Sequence, residues 1–476
     1  MQQLDIRAAR RPAPRTNPTM SAAERRRPRS VAALAVLGAL ALAGTPLAAQ
    51  TGAGAPERSA HLALHDVLAA ARAHGPAVDA ARASVDESRR RIRESQAALL
   101  PQLGASGYSL DRDYNRQSLG MPRQPLPGGG TASDLVGPFA NQDLRATARL
   151  SLVDLAAHRR VGLARDASAV AERDQRAAAD GAEAAAARAY VELQRAQSLV
   201  AVRAADTALA VRLVDIATSR HAAGATSGID VTRAQVQLAA ARTAYALALG
   251  GADRARYELL RAMGAPVDES SIAVDSLALL PLGLPENADT LVALALAARP
   301  EIRAQEARVA LATHTRAAIR AEALPVLSLA GDYGVNGNVS NGRTEGTGSV
   351  GVFLSWSGWD GGRRHARVGE QDAAIVAAEA RLRDLRAAVT AETRGAITAW
   401  RSARSAVGTA RERTTLAARE LEQAEQRYGA GLSGSLDVIS AQEGLIRAED
   451  ASLAALAEYD LARLGVWRAL GRLDAQ

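Results

Sequence analysis

The sequence predicts a mainly helical chain in which one plan, a helix, a β-hairpin, a very long helix and a returning helix, is written twice. Three observations carry that prediction. Residues 220–235 (RHAAGATSGIDVTRAQ) and 427–442 (RYGAGLSGSLDVISAQ) repeat one another, with Arg220/Arg427, Gly224/Gly431, Asp230/Asp437, Val231/Val438 and Gln235/Gln442 in register. Self-similarity of that length marks duplicated supersecondary units. Helical patterning then runs without a proline over 159–222 and again over 361–428, and ahead of each run the period drops to two, the mark of a two-faced strand.

The first segment, 1–49, reads as an N-terminal extension with a secretory signal: Arg25, Arg26, Arg27 and Arg29, an apolar run Val31 to Leu42, then small residues around Ala48 and Ala49. Met20 is a second candidate start. The extension also accounts for the charge. Of the formal +7, residues 1–49 hold eight Arg against Asp5 and Glu24, leaving about +1 for everything else, so a nucleic-acid footprint finds no support. With no cysteine there are no disulfides, thiolate metal sites or acylated N-terminal Cys. No apolar run reaches the roughly 20 residues of a transmembrane helix. Ala and Arg dominate, lysine is absent and Phe occurs twice, a composition that favours long helices packed closely side by side over one compact globule.

The first repeat is expected over 50–262. A helix over 62–98 ends at Pro101, and its counterpart over 289–323 ends at Pro325. The hairpin 103–153 follows: Leu144, Ala146, Ala148, Leu150 and Leu152 share one face, Arg145, Thr147, Arg149 and Ser151 the other, with 103–110 as partner strand across a Pro/Gly-rich loop at about 111–143. Asp154 is placed to cap the first long helix and Asp360 the second. The returning helix spans 230–262, and 263–288, with Pro266, Pro281 and Pro285, forms an irregular linker. The second repeat, 289–472, carries a hairpin over 326–357, with Leu327, Leu329, Tyr333 and Val335 on one face of its first strand and Val350, Val352, Leu354 and Trp356 on one face of the next. Its loop, Asn336 to Thr347, is shorter and places Arg343 and Glu345 on a solvated turn. The long helices run to roughly 100 Å, and the shorter helices of each repeat together match that length, so they stack end to end along them.

Four amphipathic strands do not close a barrel, and open strand edges are not tolerated in hydrocarbon, so the hairpins require other copies if they enter a membrane. Seven of the 14 aromatics (Tyr108, Tyr114, Phe139, Tyr333, Phe353, Trp356, Trp359) lie in the two hairpin segments, as an interfacial girdle would have them. On that reading Arg145 and Arg149, with Arg112, line a barrel lumen. Enzyme chemistry has no support: there is no phosphate-binding glycine loop, nucleophile elbow or cysteine nucleophile. His61 and His65 stand four apart, a spacing that a zinc site can use, but without companion ligands they read as a solvated helix start. Neither a metal nor a cofactor is expected.

The chain resembles the TolC-like outer-membrane factors of tripartite efflux pumps and type I secretion systems over nearly all of 60–472. The resemblance is carried by the hairpin tip Arg427-Tyr428-Gly429-Ala430-Gly431-Leu432-Ser433, followed by Asp437-Val438 and Ala441-Gln442, by its repeat at Arg220 to Gln235, and by Trp359-Asp360-Gly361-Gly362-Arg363-Arg364 at a strand-to-helix entry. It implies a mainly α fold with membrane β, in which a homotrimer forms a twelve-stranded outer-membrane β-barrel continued by a periplasmic α-helical barrel. It further implies docking of the tips (Arg220, Gly224, Ala225, Thr226, Arg427, Tyr428, Gly431, Leu432 and Ser433) on a periplasmic adaptor, or membrane fusion protein, that serves an RND-type or ABC-type inner-membrane transporter. Glycine suits such tips because it takes positive φ and lets another backbone approach. Asp230 and Asp437 are open to two readings, helix capping or a ring of lumenal carboxylates. The family's second Asp three residues on is Arg233 and Ser440 here, which disfavours a doubled constriction. The function this implies is a passive outer-membrane export duct of a tripartite system. A type I secretion duct and a non-conducting periplasmic coiled-coil spacer are the alternatives.

Overall fold

The structure, a computed structural model, describes residues 60–122, 125, 127–130, 133–267, 272–338 and 343–473. The secretory signal read in residues 1–49, the Pro/Gly-rich loop in part and the tip of the second loop lie outside the described residues. Each repeat opens on two helices where the pattern predicted one. These are α1 (Leu64–His74) with α2 (Pro76–Ala97), and α5 (Ala288–Ala298) with α6 (Pro300–Ala321). Both breaks fall at a proline, which lacks an N–H and pushes the preceding residue, Gly75 or Arg299, out of the helical region (ψ 134 and 124). Proline at the first helical position then starts the next helix without penalty. His61 lies ahead of α1 in a short strand, β1 (Ala60–Leu62), so it does not share a helical face with His65 as expected.

The hairpins are longer than their alternation suggested. β2 (Gln102–Asn115) pairs with β3 (Leu135–Val153), which pairs with β5 (Val326–Asn338), which pairs with β6 (Arg343–Ser355). All three pairings are antiparallel, giving one sheet of order β2-β3-β5-β6 with β2 and β6 as open edges. The loop expected at 111–143 therefore shrinks. A register shift between Arg112 and Tyr114 and the Pro138 interruption hide the outer part of the pairing from a period-two reading. Likewise Arg343 and Glu345, expected on a loop, belong to β6.

Two helices of about 100 Å leave the sheet, α3 (Leu155–Ala222) and α7 (Arg363–Gly429). Asp154 caps the first, accepting from the Ala157 N–H at 2.8 Å. In the second the capping position is Gly362, and Asp360 instead accepts from the Arg364 N–H (3.0 Å) from two residues upstream. The returning helices are α4 (Gly228–Met263) and α8 (Ser435–Ala469). Helices α1, α2 and α4 pack along α3, α5 and α8 along α7, and α6 between the two long helices. Buried positions on these faces are dominated by Ala and Val, which lets the helices approach closely.

The linker is more ordered than its prolines suggested. Within it β4 (Ile272–Val274) pairs in parallel with β1. Gln197 and Gln194 on α3 donate to the Ile272 and Asp275 carbonyls (2.9 and 2.8 Å), while Tyr459 and Trp467 on α8 donate to the Leu280 and Leu282 carbonyls. Two cores sit at this level, one around Val67, Tyr190, Leu259 and Ile272, the other around Leu291, Ile397, Trp400, Tyr459 and Val466. No helix among the described residues is long and apolar enough to cross a membrane.

Candidate functional site: an inverted sheet and two helical tips

The two faces of the sheet have their polarity reversed relative to a soluble protein. Cross-strand register places Leu144 opposite Val335, Leu150 opposite Leu329, and Leu329 opposite Val352, so one face is apolar from the level of Leu144 to the helix end of the sheet, with Gln142 and Ser109 beyond it. That face is the exposed one: Tyr333 is 71 % and Val350 81 % accessible. The sheltered face is polar. Asp143, 7 % accessible, accepts two bonds from Arg145 (Nε–Oδ1 3.1 Å, Nη2–Oδ2 2.9 Å) and one from Asn336 (2.8 Å). Arg145 also pairs with Asp332 and reaches the Thr347 hydroxyl (3.3 Å), and the Ser349 hydroxyl donates to Asp332. Every strand-borne charge in this cluster has a partner, which is what a polar surface enclosed by a curled sheet requires. Leaving some 80 % of a valine in water is unfavourable, whereas the same face against hydrocarbon costs nothing.

Arg145 and Arg149 thus share the polar face, as the alternation placed them, but Arg145 is locked between carboxylates while Arg149 is exposed. Sequence reasoning missed Asp143, Asp332 and Asn336, whose strand positions became legible only with the register. The aromatics divide. Tyr333 and Trp356 follow the apolar face, whereas Tyr108 stands opposite Asp143 and Phe353 opposite Ser328 on the polar one, so the hairpin aromatics do not form a single girdle. The Phe139 and Arg343 side chains lie outside the described residues.

At the far end of the long helices the two repeated motifs make the same turn. Gly224 (φ 72) and Gly431 (φ 75) take the left-handed conformation, and the next residues, Ala225 and Leu432, donate to the Arg220 and Arg427 carbonyls, both at 2.9 Å. This closure, five residues back across a left-handed glycine, satisfies the last carbonyls of each long helix. The side chains then part company. Arg220 crosses to the other tip, donates to the Tyr428 carbonyl and lies over the Tyr428 ring at 4.6 Å, while Arg427 is exposed. Leu432 is also exposed, as are Ile229 and Leu436. Behind them Leu213, Ala217, Ala234, Leu421, Tyr428, Val438 and Ala441 hold the four helices together. The Nε of Arg220, the Tyr428 hydroxyl, the Ser433 hydroxyl and the Gln442 amide nitrogen are enclosed without a hydrogen-bond partner among the described residues.

The two aspartates of the repeat differ as well. Neither is the capping residue: Ser227 and Gly434 occupy those positions, and each Asp stands in the first turn. Asp230 accepts from the hydroxyls of Thr226, Ser227 (3.3 Å) and Ser435, the last belonging to the opposite tip, and pairs with Arg233 at 3.8 Å. The Ser435 and Thr226 hydroxyls hold its carboxyl below the usual carboxylate range. Asp437 is exposed. Ser435 was not foreseen, because nothing in the sequence relates it to a residue 205 positions away. Among the described residues no group of three or more His, Cys, Asp and Glu side chains gathers at metal-binding distance.

The sequence profile of a family described as outer membrane efflux protein matches residues 67–265 and 291–472. None of the curated proteins compared matches. Among solved structures the chain is similar to the outer-membrane channel OprN, at 22 % identity and a TM-score of 0.69 over 86 % of this chain and 89 % of that one. It is also similar to the outer membrane protein VceC of Vibrio cholerae (19 %, 0.68, 86 % and 96 %) and to the CmeC outer membrane channel of Campylobacter jejuni (16 %, 0.70, 86 % and 85 %). At these identities the likeness is one of fold.

Proposed function

The chain belongs to the outer membrane efflux protein family, and on that premise we propose that it is the outer-membrane export channel of a tripartite efflux system, a passive duct that catalyses no reaction. The observation that carries the reading is the inverted sheet with two open edges. Its exposed apolar face suits lipid, its sheltered polar face suits water, and the unpaired groups of β2 and β6 suit pairing with other copies of the same sheet. Three copies would supply a twelve-stranded barrel, with the long helices continuing the duct into the periplasm. The repeat boundaries, 50–262 and 289–472 around the linker 263–288, follow the same plan.

At the other end the exposed Leu432, Ile229 and Leu436 and the exposed Arg427 suit docking on a periplasmic adaptor. The bond between Asp230 and Ser435 ties the two tips together, so we assign Asp230 to holding the tip closed. Asp437, exposed, is the better candidate for a lumenal carboxylate. The test uses the cysteine-free background. Reconstituted protein is expected to give discrete conductance steps in planar bilayers, and a Gly431→Cys variant cross-linked in cells is expected to capture an adaptor. An adaptor of an RND-type pump supports efflux. An adaptor of an ABC-type exporter moves the assignment to type I secretion. A protein recovered soluble and without conductance returns the spacer reading.

A further inference from the structure

Of the four tryptophans, Trp400 and Trp467 pack into helical cores, whereas Trp356 and Trp359 stand at the foot of the second hairpin, 69 % and 86 % accessible. Trp356 continues the parity of Val350, Val352 and Leu354 on the apolar face, and its indole N–H donates to the Ala323 carbonyl at 3.0 Å, which fixes the ring while leaving its body outside. The charges around it are unevenly used. Glu322 is taken by Arg367 (3.3 Å to Oε1 and 2.5 Å to Oε2), and Asp360 by Arg364 (Nε–Oδ2 3.0 Å). Arg364 spends its remaining donors on the Glu322, Ser357 and Gly358 carbonyls. Both carboxylates of the junction are therefore occupied. The side chains of Arg320, about one turn before the carbonyl that Trp356 touches, and of Arg363, four residues beyond Trp359, are exposed and make no hydrogen bond or ion pair among the described residues, although the Arg363 charge also acts on Asp360 at longer range.

We propose that this patch of Trp356, Trp359, Arg320 and Arg363 binds the headgroup phosphate of anionic phospholipid in the leaflet facing the long helices. The inference rests on the apolar face being the lipid face. Indole rings settle at the depth where acyl chains meet headgroups, and the arginine stems reach from that depth into the phosphate layer. Two exposed guanidiniums without a salt bridge, beside an apolar surface, favour a lipid with net negative charge over a zwitterionic one, by up to about fivefold for each. The first hairpin has no counterpart: Leu152, Val153 and Leu155 occupy its foot, without an indole.

The test is tryptophan quenching in vesicles of phosphatidylcholine into which either brominated phosphatidylglycerol or brominated phosphatidylcholine is titrated. Bromine quenches only nearby indoles, so Trp400 and Trp467 give a constant background. The reconstituted full-length protein should be quenched at a several-fold lower fraction of brominated phosphatidylglycerol than of brominated phosphatidylcholine, and the Arg320→Gln/Arg363→Gln variant should be quenched equally by both. Equal quenching of the unaltered protein overturns the anion preference and leaves the membrane reading intact. Absence of quenching by either lipid overturns both. Should the double variant fail to insert, the comparison of the two lipids on the unaltered protein still decides.

Discussion

Arg220 and Arg427 occupy the same place in the repeat and offer the same backbone carbonyl to the same turn, yet only Arg220 reaches across to Tyr428. Asp230 and Asp437 diverge in the same way, one bound by three hydroxyls and the other exposed. The sequence made these positions visible as a motif but could not rank them, because the ranking depends on Ser435 and Tyr428, which approach from the other copy. Removing the cross-tip bond with Ser435→Ala forfeits a hydrogen bond to a charged acceptor, worth roughly 1–2 kcal/mol, or about tenfold in occupancy of the tied state. The variant should therefore show more frequent and larger openings in planar bilayers, and an unchanged conductance record would remove Asp230 from the gate. Because its hydroxyl partners depress the Asp230 carboxyl, its contribution is complete above the ordinary carboxylate range and is lost only as pH falls through the depressed value. The tie should accordingly hold from neutral pH down to about pH 5. Asp206 has the opposite sign. Burial pushes its carboxyl up even though Arg203 donates to it at 3.0 Å, so its cost is absent in acid and grows as pH rises through the raised value. Arg203 keeps Asp450 as a partner, so Asp206→Asn should raise the melting temperature by a few degrees at pH 7.5 and leave it unchanged near pH 4. A fall at pH 7.5 would show that the charge stabilises the packing of α3 against α8.

Elements were most legible where periodicity was long. The ends of α3 and α7 were anticipated closely, since no proline falls within them and a left-handed glycine turn follows each. The splits at Pro76 and Pro300 could have been read from the prolines alone. They were obscured because helical patterning resumes at once on the far side. Two glycines escaped notice for lack of any local signal. Gly264 closes α4 with φ 71, and a Cβ there would stand 1.9 Å from the His74 carbonyl oxygen at the end of α1. Gly471 holds the corresponding place after α8, beside Arg299 at the α5–α6 break, with φ 65 and its nearest neighbour at 3.7 Å. The two copies therefore predict different outcomes for one substitution. Gly471→Ala meets only the left-handed backbone penalty, about 1 kcal/mol. Gly264→Ala adds a clash with backbone that cannot step aside, so about 3 kcal/mol or more is expected. Thermal melts of the two variants should separate accordingly, and equal losses would mean that α1 moves freely away from α4.

For the whole molecule, fold class and the location of the strands could be read from one chain, but closure could not, because the edges of a sheet are satisfied by residues of another copy. Closure makes a geometric prediction that a single chain is unable to imitate. Strands β2 and β6 are separated by two intervening strands, and three steps of about 4.8 Å put them roughly 14 Å apart along the sheet. A disulfide bridges Cα atoms no more than about 7 Å apart, so cysteines placed one on each edge cannot join within the chain. In the cysteine-free background, pairs such as Ala105→Cys with Val352→Cys, scanned along the apolar face to find the register, should cross-link only between copies. If the edges close a ring of three, oxidation to completion converts monomer through dimer to a covalent trimer that resists boiling in detergent, and nothing larger forms however long the reaction runs. An open head-to-tail association would instead give a ladder without an upper limit. A ladder, or a product that stops at dimer, would refute the twelve-stranded barrel while leaving the family membership and the inverted polarity of the sheet in place.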